Sequence, residues 1–408
     1  MAIKRPKGTN DYFGIESIIL DRVINEFKKS FRLFGFEYIK TPTFEFSSLL
    51  KNKYGDDAKL IYEFEDKKKR KLALRYDLTV PLARVVGNNN FTQPAKFYNI
   101  GSVFRYDRPQ KGRKREFIQA DIDIIGDSSL GSDAELISCM SNAFFRLNLN
   151  PVFRVNNRSI MEKIFSKLKI PKSKYVQVLR TIDKLDKIGI NGIKKELKSF
   201  NISDKKLIEI IKIKGNFSEI KDKLDKYNIN IDLFEFEELL QKINSIKLNE
   251  TNIIFDLSLA RGLSYYTGNV WEIDSGKGMS IGGGGRYDNL IKDLTGKNLT
   301  GVGISVGITR LIEIMKFNKG DQKKLYVISI DSDVSDIVKY LRRNGINTSY
   351  NLKKKNIKSS INYAYKNNYE YVILVGSEEI KTKLFTLKNI NSGLTEKLKI
   401  DKIISKFK

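Results

Sequence analysis

The chain contains no histidine and a single cysteine among its 408 residues. Without histidine there is no imidazole general base, no imidazole metal ligand and no Ser-His or Cys-His nucleophile. With Cys139 as its one thiol, an internal disulfide and a structural zinc site are excluded, which favours a reducing compartment. Any catalysis must use Arg, Asp, Glu, Tyr, Gln and bound metal ions. Phosphoryl and nucleotidyl transfer can work in this way, because positioning and charge stabilisation dominate them.

The missing histidines also bear on titration. Between about pH 5 and 8, the sequence predicts that no ordinary side chain changes charge. Only the α-amino group and Cys139 are left as candidates. Any other pH dependence in this range would then come from a bound molecule.

Long apolar segments are missing as well. No run approaches the roughly 18 apolar residues that a membrane-spanning helix needs. The N-terminal segment, MAIKRPKGTNDYFGIES, lacks the apolar core of a signal peptide. We therefore expect a cytoplasmic protein with no membrane partner. The length of 408 residues predicts two or three domains with large cores.

The formal charge of +26 favours a partner that carries phosphates. Codon bias is an alternative explanation for part of it, since Lys, Asn and Ile are over-used throughout. Residues 324–408 nevertheless hold 17 Lys and Arg against 8 Asp and Glu. The resulting net charge of +9 is larger than an even spread of the +26 along the chain would give this segment. This segment is the best candidate for contact with nucleic acid.

The N-terminal region predicts a helix followed by a strand. Apolar residues recur at helical spacing from Ser17 to Phe34, with Ser17 as the expected cap and Gly35 as the expected end. The stripe consists of Leu20, Val23, Ile24, Phe27, Phe31 and Phe34. The strand-like FEYIKTP then runs to Pro42.

A second helix is predicted from Ser132 to Leu147, opened by a capping box of Ser132 and Glu135. From about 159 to 248 the composition shifts to Lys, Ile, Leu, Asp and Glu with helical periodicity. This segment indicates a mostly helical insertion between two halves of one domain. A second core packed for its own sake fits the same pattern.

The C-terminal part predicts a separate small domain. The segment from Lys316 to Gly320 is the best linker, and strands and helices alternate after it. Predicted strands are LYVISI, NTSYNL and YVILVG, with one helix up to Arg343 and another around 361–366. The alternation favours an α/β domain on a mostly parallel sheet.

The stretch from Phe97 to Ile125, FYNIGSVFRYDRPQKGRKREFIQADIDII, predicts two strands around a basic loop. On the second strand, Phe117, Gln119, Asp121 and Asp123 share one face, because successive side chains alternate. A solvated hairpin would explain the loop alone. It would leave the carboxylate row beside the arginines unexplained, so we interpret the hairpin as a site for a phosphate, a flat base and a small polar substrate.

This hairpin resembles motif 2 of the class II aminoacyl-tRNA synthetases, and most closely that of histidyl-tRNA synthetase. Four further segments follow in the family's order and spacing, so that the resemblance covers nearly the whole chain. They are LALRYDLTVPLAR (72–84), FDLSLARGLSYYTGNVWEI (255–273), SIGGGGRYDNLI (280–291) and GVGISVGITRL (301–311). The N-terminal helix and strand resemble motif 1, which forms the dimer interface in this family.

The resemblance implies a fold and a reaction. The fold is an α+β catalytic domain with an antiparallel class II sheet, a helical insertion and a C-terminal α/β anticodon-binding domain. The domains would be 1–158 and 249–320 for catalysis, 159–248 for the insertion and 324–408 for the anticodon. The reaction is histidine–tRNA ligation: ATP with Mg²⁺ activates L-histidine, and the acyl group passes to the 3′ end of histidine tRNA. A homodimer is expected.

The resemblance also assigns residues. Arg105 would bridge the amino acid carboxylate and the α-phosphate of ATP, and Arg261 would reach the same phosphate; these two are the expected catalytic groups. Phe117 would stack on adenine, while Arg113 and Arg310 would hold the terminal phosphates. No metal ligand is assigned to a protein side chain.

Histidine recognition is assigned to Asp77, Leu78, Thr79, Arg105, Gln119, Asp123, Arg261, Tyr265 and Tyr266. Asp77 and Gln119 suit the α-amino group, and Asp123 with the two tyrosines suits an imidazole. Glycines 282–285 would keep side chains out of the pocket. Gln110 would contact the extra 5′ guanosine of histidine tRNA.

Three positions depart from the family pattern: Ser264 and Thr309 replace acidic residues, and Ile118 stands where relatives often have histidine. The alternative function is a non-catalytic regulatory paralogue that senses histidine. Such a subunit typically lacks the C-terminal domain and the ATP-site arginines, and both are present here. A tRNA-binding module without chemistry would need none of the arginines.

Overall fold

The computed structural model describes residues 3–51, 54–110, 112–202, 205–260, 266–276, 278–314, 323–353 and 356–407. The chain divides into two compact units, one of Met1–Asp11 with Leu20–Lys316 and one of Tyr12–Ile19 with Phe317–Lys408. The limits of the predicted insertion within the first unit stay a prediction. The predicted linker from Lys316 to Gly320 lies outside the described residues.

The first unit is built on a large mixed sheet. Its strands are β1 Glu37–Tyr38, β2 Phe44–Phe46, β3 Glu63–Glu65, β4 Lys71–Leu74, β5 Ala95–Phe104, β6 Glu116–Ile125, β7 Val152–Asn157, β8 Lys214–Gly215, β9 Asn252–Asp256, β10 Asn269–Asp274, β11 Ser280–Arg286 and β12 Gly301–Gly307. Among the described residues, nine of them form one sheet in the order β1-β5-β6-β12-β11-β10-β7-β9-β8, and β2-β4-β3 form another. The pairs from β5 to β7 are antiparallel, as predicted for a class II sheet, while β1 and β9 join in parallel.

Helices cover this sheet and form most of residues 158–246. They are α1 Ile15–Leu33, α2 Ser47–Lys51, α3 Thr79–Asn88, α4 Leu130–Phe145, α5 Arg158–Lys167, α6 Tyr175–Ile182, α7 Leu185–Ser199, α8 Lys205–Ile210, α9 Phe217–Lys226, α10 Phe234–Ile246, α11 Leu290–Thr295 and α12 Ile308–Ile314. Short 3₁₀ helices occupy Gly55–Leu60 and Lys172–Lys174. The helical character predicted for 159–248 is confirmed, with β8 as a two-residue exception.

The ends of α1 confirm one sequence expectation and correct another. Gly35 has φ +74°, and the N–H of Phe36 donates to the carbonyl of Phe31 at 3.0 Å, so glycine ends the helix as predicted. Ser17 does not cap it. The helix has already begun at Ile15, and the Ser17 hydroxyl donates back to the carbonyl of Gly14 at 2.8 Å.

The capping box predicted for the second helix is also wrong. Helix α4 begins at Leu130, so Ser132 lies within its first turn and donates to Asp127 Oδ2 at 2.5 Å. Glu135 pairs with Lys96 instead of reaching back along the helix. The apolar face is as predicted: Met140 and Phe144 are buried, and the Phe144 ring packs edge-on against Phe27 of α1.

The second unit has its own mixed sheet, ordered β14-β13-β15-β16-β17. Its elements are β13 Leu325–Ser329, α13 Ser335–Arg343, β14 Thr348–Tyr350, α14 Ile357–Lys366, β15 Tyr371–Val375, α15 Ser377–Thr382, β16 Phe385–Asn389, β17 Thr395–Leu398 and α16 Ile400–Phe407. Strand β13 is parallel to β14 and β15, as the alternation predicted. The sheet is not mostly parallel, because β16 and β17 add an antiparallel hairpin that the sequence reading missed.

A buried ion pair ties the glycine-rich strand β11 to α4. The side chains of Arg286 and Asp133 are 7% and 0% exposed and form a salt bridge, with Arg286 Nε 3.1 Å from Asp133 Oδ2. The remaining Arg286 donors reach the carbonyls of Asp127 and Ser129, and Asn269 donates to Asp133 Oδ1. Every charge in this cluster is therefore hydrogen-bonded, which is the condition for a tolerated buried pair.

Removing one partner of this pair should destabilise the fold strongly. Asp133→Ala leaves the buried Arg286 guanidinium with only the longer 3.8 Å contact to the partly exposed Asp288. We therefore expect a loss of about 3–5 kcal/mol in the free energy of unfolding. Urea unfolding of wild type and variant measures it. Glu250→Ala is the matched control, because Glu250 is 91% exposed in its pair with Lys247. Equal, small losses in both variants would contradict a structural role for the pair.

Candidate active site

The polar row predicted on one face of β6 lies inside the large sheet, where β6 is flanked by β5 and β12. Gln119, Asp121 and Asp123 are all buried, at 8%, 2% and 4% exposure. Their register partners on β12 are Gly307, Ser305 and Gly303. The sheet therefore sets two carboxyls and an amide against small residues, which leaves space above the strands.

Glycine is required opposite Asp123. A Cβ on Gly303 would lie 2.0 Å from Asp123 Oδ1, and no real side chain tolerates that distance. A cavity of about 20 Å³ opens here, and its walls include Thr79, Tyr266, Gly283, Gly284 and both carboxyls. Two members of the glycine run, Gly283 and Gly284, thus line this cavity.

Asp123 has a hydrogen-bond partner that was not predicted from the sequence. The Tyr287 hydroxyl donates to Asp123 Oδ1 at 2.6 Å, and Tyr287 is itself 2% exposed. Burial raises the pKa of Asp123 to about 7, helped by the charge of Asp77, although the Tyr287 hydrogen bond opposes the shift. An available signal was the aromatic residue directly after the Gly-Gly-Gly-Gly-Arg segment of β11.

Ser305 is a second residue of the site that was not predicted from the sequence. Gln119 Nε2 donates to Ser305 Oγ at 2.6 Å, and Ser305 Oγ donates to Asp121 Oδ1 at 2.5 Å. Burial, followed by the neighbouring charge of Asp123, raises the pKa of Asp121 well above its usual value. The Oε1 atom of Gln119 is buried with no hydrogen-bond partner in the described part of the chain, so it can accept from a ligand.

The segment Asp77-Leu78-Thr79 forms the entry to α3. Asp77 Oδ1 accepts the N–H of Val80 at 3.0 Å, and burial raises the pKa of Asp77. Thr79 lines the cavity, whereas the Leu78 side chain is 1% exposed and belongs to the core. Asp77 thus adds a third buried carboxyl beside the row on β6.

Arg105 and Phe117 lie together at the base of the hairpin. The Arg105 guanidinium carbon lies 4.2 Å from the centre of the Tyr76 ring and 5.2 Å from that of Phe117. Arg105 Nε donates to the Tyr76 carbonyl at 3.1 Å, which fixes the side chain. A cation held between two aromatic faces can receive an anion on its free edge.

The loop beyond Arg105 carries the other predicted phosphate and tRNA contacts. Gln110 is exposed at the loop tip, and Arg113 is exposed with Asp107 3.9 Å away. Arg310 lies on α12, and its Nε is buried without a hydrogen-bond partner among the described residues. Burial lowers the pKa of Arg310, and the charge of Arg113 adds to this.

Arg261, Ser264 and Tyr265 lie outside the described residues, so their predicted roles rest on the resemblance alone. Thr309, which stands where the family pattern has an acidic residue, contacts the hairpin: its hydroxyl accepts the N–H of Ile118 at 3.0 Å. Tyr266 lies in the described part of the chain and lines the cavity. The tyrosine that is hydrogen-bonded to Asp123 is Tyr287, which was not predicted from the sequence.

The expectation that no side chain titrates near neutral pH is wrong. It assumed unperturbed carboxyls, whereas burial moves the pKa of Asp123 to about 7. Cys139, the other candidate, is buried, and burial raises the pKa of its thiol far above that range.

Comparison with known proteins identifies the class. The family model described as histidyl-tRNA synthetase matches residues 8–311, and that of an anticodon binding domain matches 320–408. The family and the fold are those of a class II aminoacyl-tRNA synthetase. More particularly, the chain belongs to the histidyl-tRNA synthetase family.

Individual relatives agree with this placement. A histidine–tRNA ligase of Bacillus cereus is 35% identical over 99% of both chains, and one of Finegoldia magna is 37% identical over 96% of both. The histidyl-tRNA synthetase structure from Nostoc sp. PCC 7120 matches with TM-score 0.86 and 26% identity over 100% of this chain and 99% of that one. A structure from Bacillus halodurans C, titled an ATP phosphoribosyltransferase regulatory subunit/histidyl-tRNA synthetase, shares the fold with TM-score 0.74 at 21% identity, over 92% of this chain and 98% of that one.

The raised pKa of Asp123 predicts a pH dependence of stability. Between its ordinary value of 3.8 and about 7, the folded state holds a proton that the unfolded state has released. The free energy of unfolding should therefore fall as pH rises through this range, by up to about 1.4 kcal/mol per pH unit from this group. We expect Asp123→Asn to have a shallower slope between pH 4 and 7 in urea unfolding. Asp121 and Asp77 remain in both proteins, and identical slopes would contradict the shift.

Proposed function

We propose that the chain is a histidine–tRNA ligase that activates L-histidine with ATP and transfers it to the 3′ end of histidine tRNA. The observation that carries the proposal is the pocket of buried carboxyls, Asp123 with Tyr287 and Asp121 with Ser305, beside the caged guanidinium of Arg105. An amino acid with a basic, planar side chain complements this set: its cationic groups can meet carboxyls while its own carboxylate meets Arg105.

Histidine would be held along the polar row of β6. Asp77 and the free Oε1 of Gln119 suit the α-ammonium group, and Asp123 suits an imidazole N–H. Thr79 and Tyr266 line the cavity beside Asp123 and would contact the ring. From the resemblance, Tyr265 and Arg261 would complete the pocket.

ATP would be held by cations on three elements. Arg105, with Phe117 behind it, would receive the α-phosphate and align it with the histidine carboxylate, while Phe117 would offer a ring face to adenine. Arg113 and Arg310 would hold the terminal phosphates. The histidine carboxylate attacks the α-phosphate and pyrophosphate leaves, so no side chain need act as a nucleophile. Mg²⁺, bound through the phosphates, would neutralise their charge.

Binding of tRNA would use the second unit and the hairpin loop. Residues 324–408 carry an excess of nine positive charges, 17 against 8, which suits a phosphate backbone. A homodimer is supported by the small sheet β2-β4-β3, where Phe44, Phe46 and Phe64 are 51%, 56% and 42% exposed. No helix among the described residues is long and apolar enough to cross a membrane. The single cysteine supports a cytoplasmic location.

The test of the function is pyrophosphate exchange with ATP across the twenty amino acids. We expect L-histidine alone to support exchange, because the buried carboxyls would be left without partners by apolar side chains. Arg105→Lys should lower kcat on the order of 10²-fold, since an ammonium cannot bridge two anions bidentately. Arg146→Lys, a surface change at the Glu26 pair, is the control. Absence of exchange with every amino acid would favour a regulatory paralogue.

Gln110 gives a prediction on tRNA choice. Its side chain is exposed at the loop tip, so Gln110→Ala should leave pyrophosphate exchange unchanged. We expect it to slow charging of tRNA that carries the extra 5′ guanosine more than charging of tRNA that lacks it. Steady-state aminoacylation of the two transcripts measures the difference, and equal losses on both would remove Gln110 from this role.

A further inference from the structure

Helix α12 contacts the motif 2 hairpin at two points one helical turn apart. The Thr309 hydroxyl accepts the N–H of Ile118 on β6 at 3.0 Å. Glu313 Oε2 accepts the N–H of Gly112 in the loop at 2.9 Å. Residues four apart lie on one side of a helix, so one face of α12 holds both the strand and the loop of the hairpin.

The contact at Glu313 is made by both of its carboxylate oxygens. Glu313 Oε1 lies 3.0 Å from Lys114 Nζ, and the two side chains are 23% and 24% exposed. Gln110 and Arg113 also exchange both of their backbone hydrogen bonds, at 3.1 and 2.9 Å. The loop tip is thus closed on itself, and Glu313 fastens the closed tip to the helix.

This docking brings two guanidinium groups together. A Cβ on Gly112 would lie 3.3 Å from Arg310 Nε, so the loop backbone packs directly against the Arg310 side chain. Gly112 has φ +72°, a conformation that favours glycine. Arg113 is the next residue, and its charge acts on Arg310. Like charges repel, whereas the charges of Glu272 and Glu313 act on Arg310 in the opposite sense. Glu313 also holds the loop itself, so it offsets the repulsion between the two guanidinium groups before an anion arrives.

We propose that Glu313 is a positioning residue, which docks the 105–115 loop on α12 before ATP binds and so sets Arg113 beside Arg310 for the terminal phosphates. The inference rests on the proposed function in that ATP is the anion. A loop that is ordered in advance does not have to lose its conformational freedom during binding. Glu313 would therefore favour ATP binding although it adds a negative charge near the phosphates.

The charge of Glu313 would repel ATP, whereas its ordering of the loop would favour ATP binding, so the two effects predict opposite changes in KM for ATP. If Glu313 acted on ATP only through its charge, removing it would reduce repulsion and lower KM for ATP. If it positions the loop, removing it raises KM for ATP and leaves KM for histidine unchanged, because the histidine pocket has no contact with the loop tip among the described hydrogen bonds.

The experiment is histidine-dependent pyrophosphate exchange on the full chain. We expect Glu313→Ala to raise KM for ATP about tenfold, the scale expected when a loop must be ordered on binding. Glu313→Gln keeps an acceptor for the N–H of Gly112, so it should raise KM for ATP less than Glu313→Ala does. Lys114→Met removes only the ion pair and should have an effect similar to that of Glu313→Gln. Glu209→Ala, which removes a carboxylate from an exposed pair with Lys212, should change neither KM.

Limited trypsin cleavage after Arg113 and Lys114 gives a readout independent of activity. Cleavage in the absence of ATP should be faster in Glu313→Ala than in wild type, and ATP should slow it in both. An unchanged or lowered KM for ATP, or unchanged cleavage, would overturn the positioning role. Should Glu313→Ala melt well below wild type, Glu313→Gln and Lys114→Met decide by the same criteria. Wild type without exchange would instead refute the proposed function.

Discussion

Three carboxyl groups buried side by side, those of Asp77, Asp121 and Asp123, constrain the organisation of the catalytic sheet. Each is held by hydroxyl or backbone donors: Val80 N–H for Asp77, the Ser305 hydroxyl for Asp121 and the Tyr287 hydroxyl for Asp123. Neutral donors satisfy hydrogen bonding without supplying charge. Burial therefore raises the pKa of all three groups. A cationic ligand bound beside these three groups would favour their ionised form.

The surrounding fold follows from this row. The strand next to β6 must present small residues, because any Cβ at Gly303 would collide with Asp123. The strand beyond it, β11, needs a rigid support of its own, and the fully hydrogen-bonded cluster of Arg286, Asp133 and Asn269 attaches it to α4. Arg286 of this cluster directly precedes Tyr287 in the chain. The ion pair that supports the sheet therefore also fixes the backbone that orients the Tyr287 hydroxyl toward Asp123.

The anion side of the site is organised differently from the amino acid side. Arg105 is fixed by two aromatic rings and a carbonyl, which keeps its guanidinium rigid. Arg113 belongs to an exposed loop whose position depends on contacts to α12. Under the proposed function, rigid groups would surround the amino acid, and the more exposed groups would lie where a triphosphate enters. A chain without histidine can work in this way, because charge placement takes the role of proton transfer.

The sequence by itself determined which residues share a face and which class of chemistry is possible. The alternation on β6 predicted the polar row, because the two-residue period of a strand is a local property of the backbone. The same locality allowed the hairpin, the helical character of 159–248 and the C-terminal domain to be predicted. Helix starts were predicted less well, since Ser17 and Ser132 have hydroxyls suited to a cap but lie inside helices that begin earlier.

Only the tertiary structure decided the partners of the polar row. Tyr287 and Ser305 lie 164 and 184 positions from the carboxyls that they contact, and Glu313 lies 201 positions from Gly112. No local pattern specifies such pairs, because they arise where separate strands are brought into register. The pKa of Asp123 belongs to the same category: burial sets it, and burial is a property of the assembled sheet.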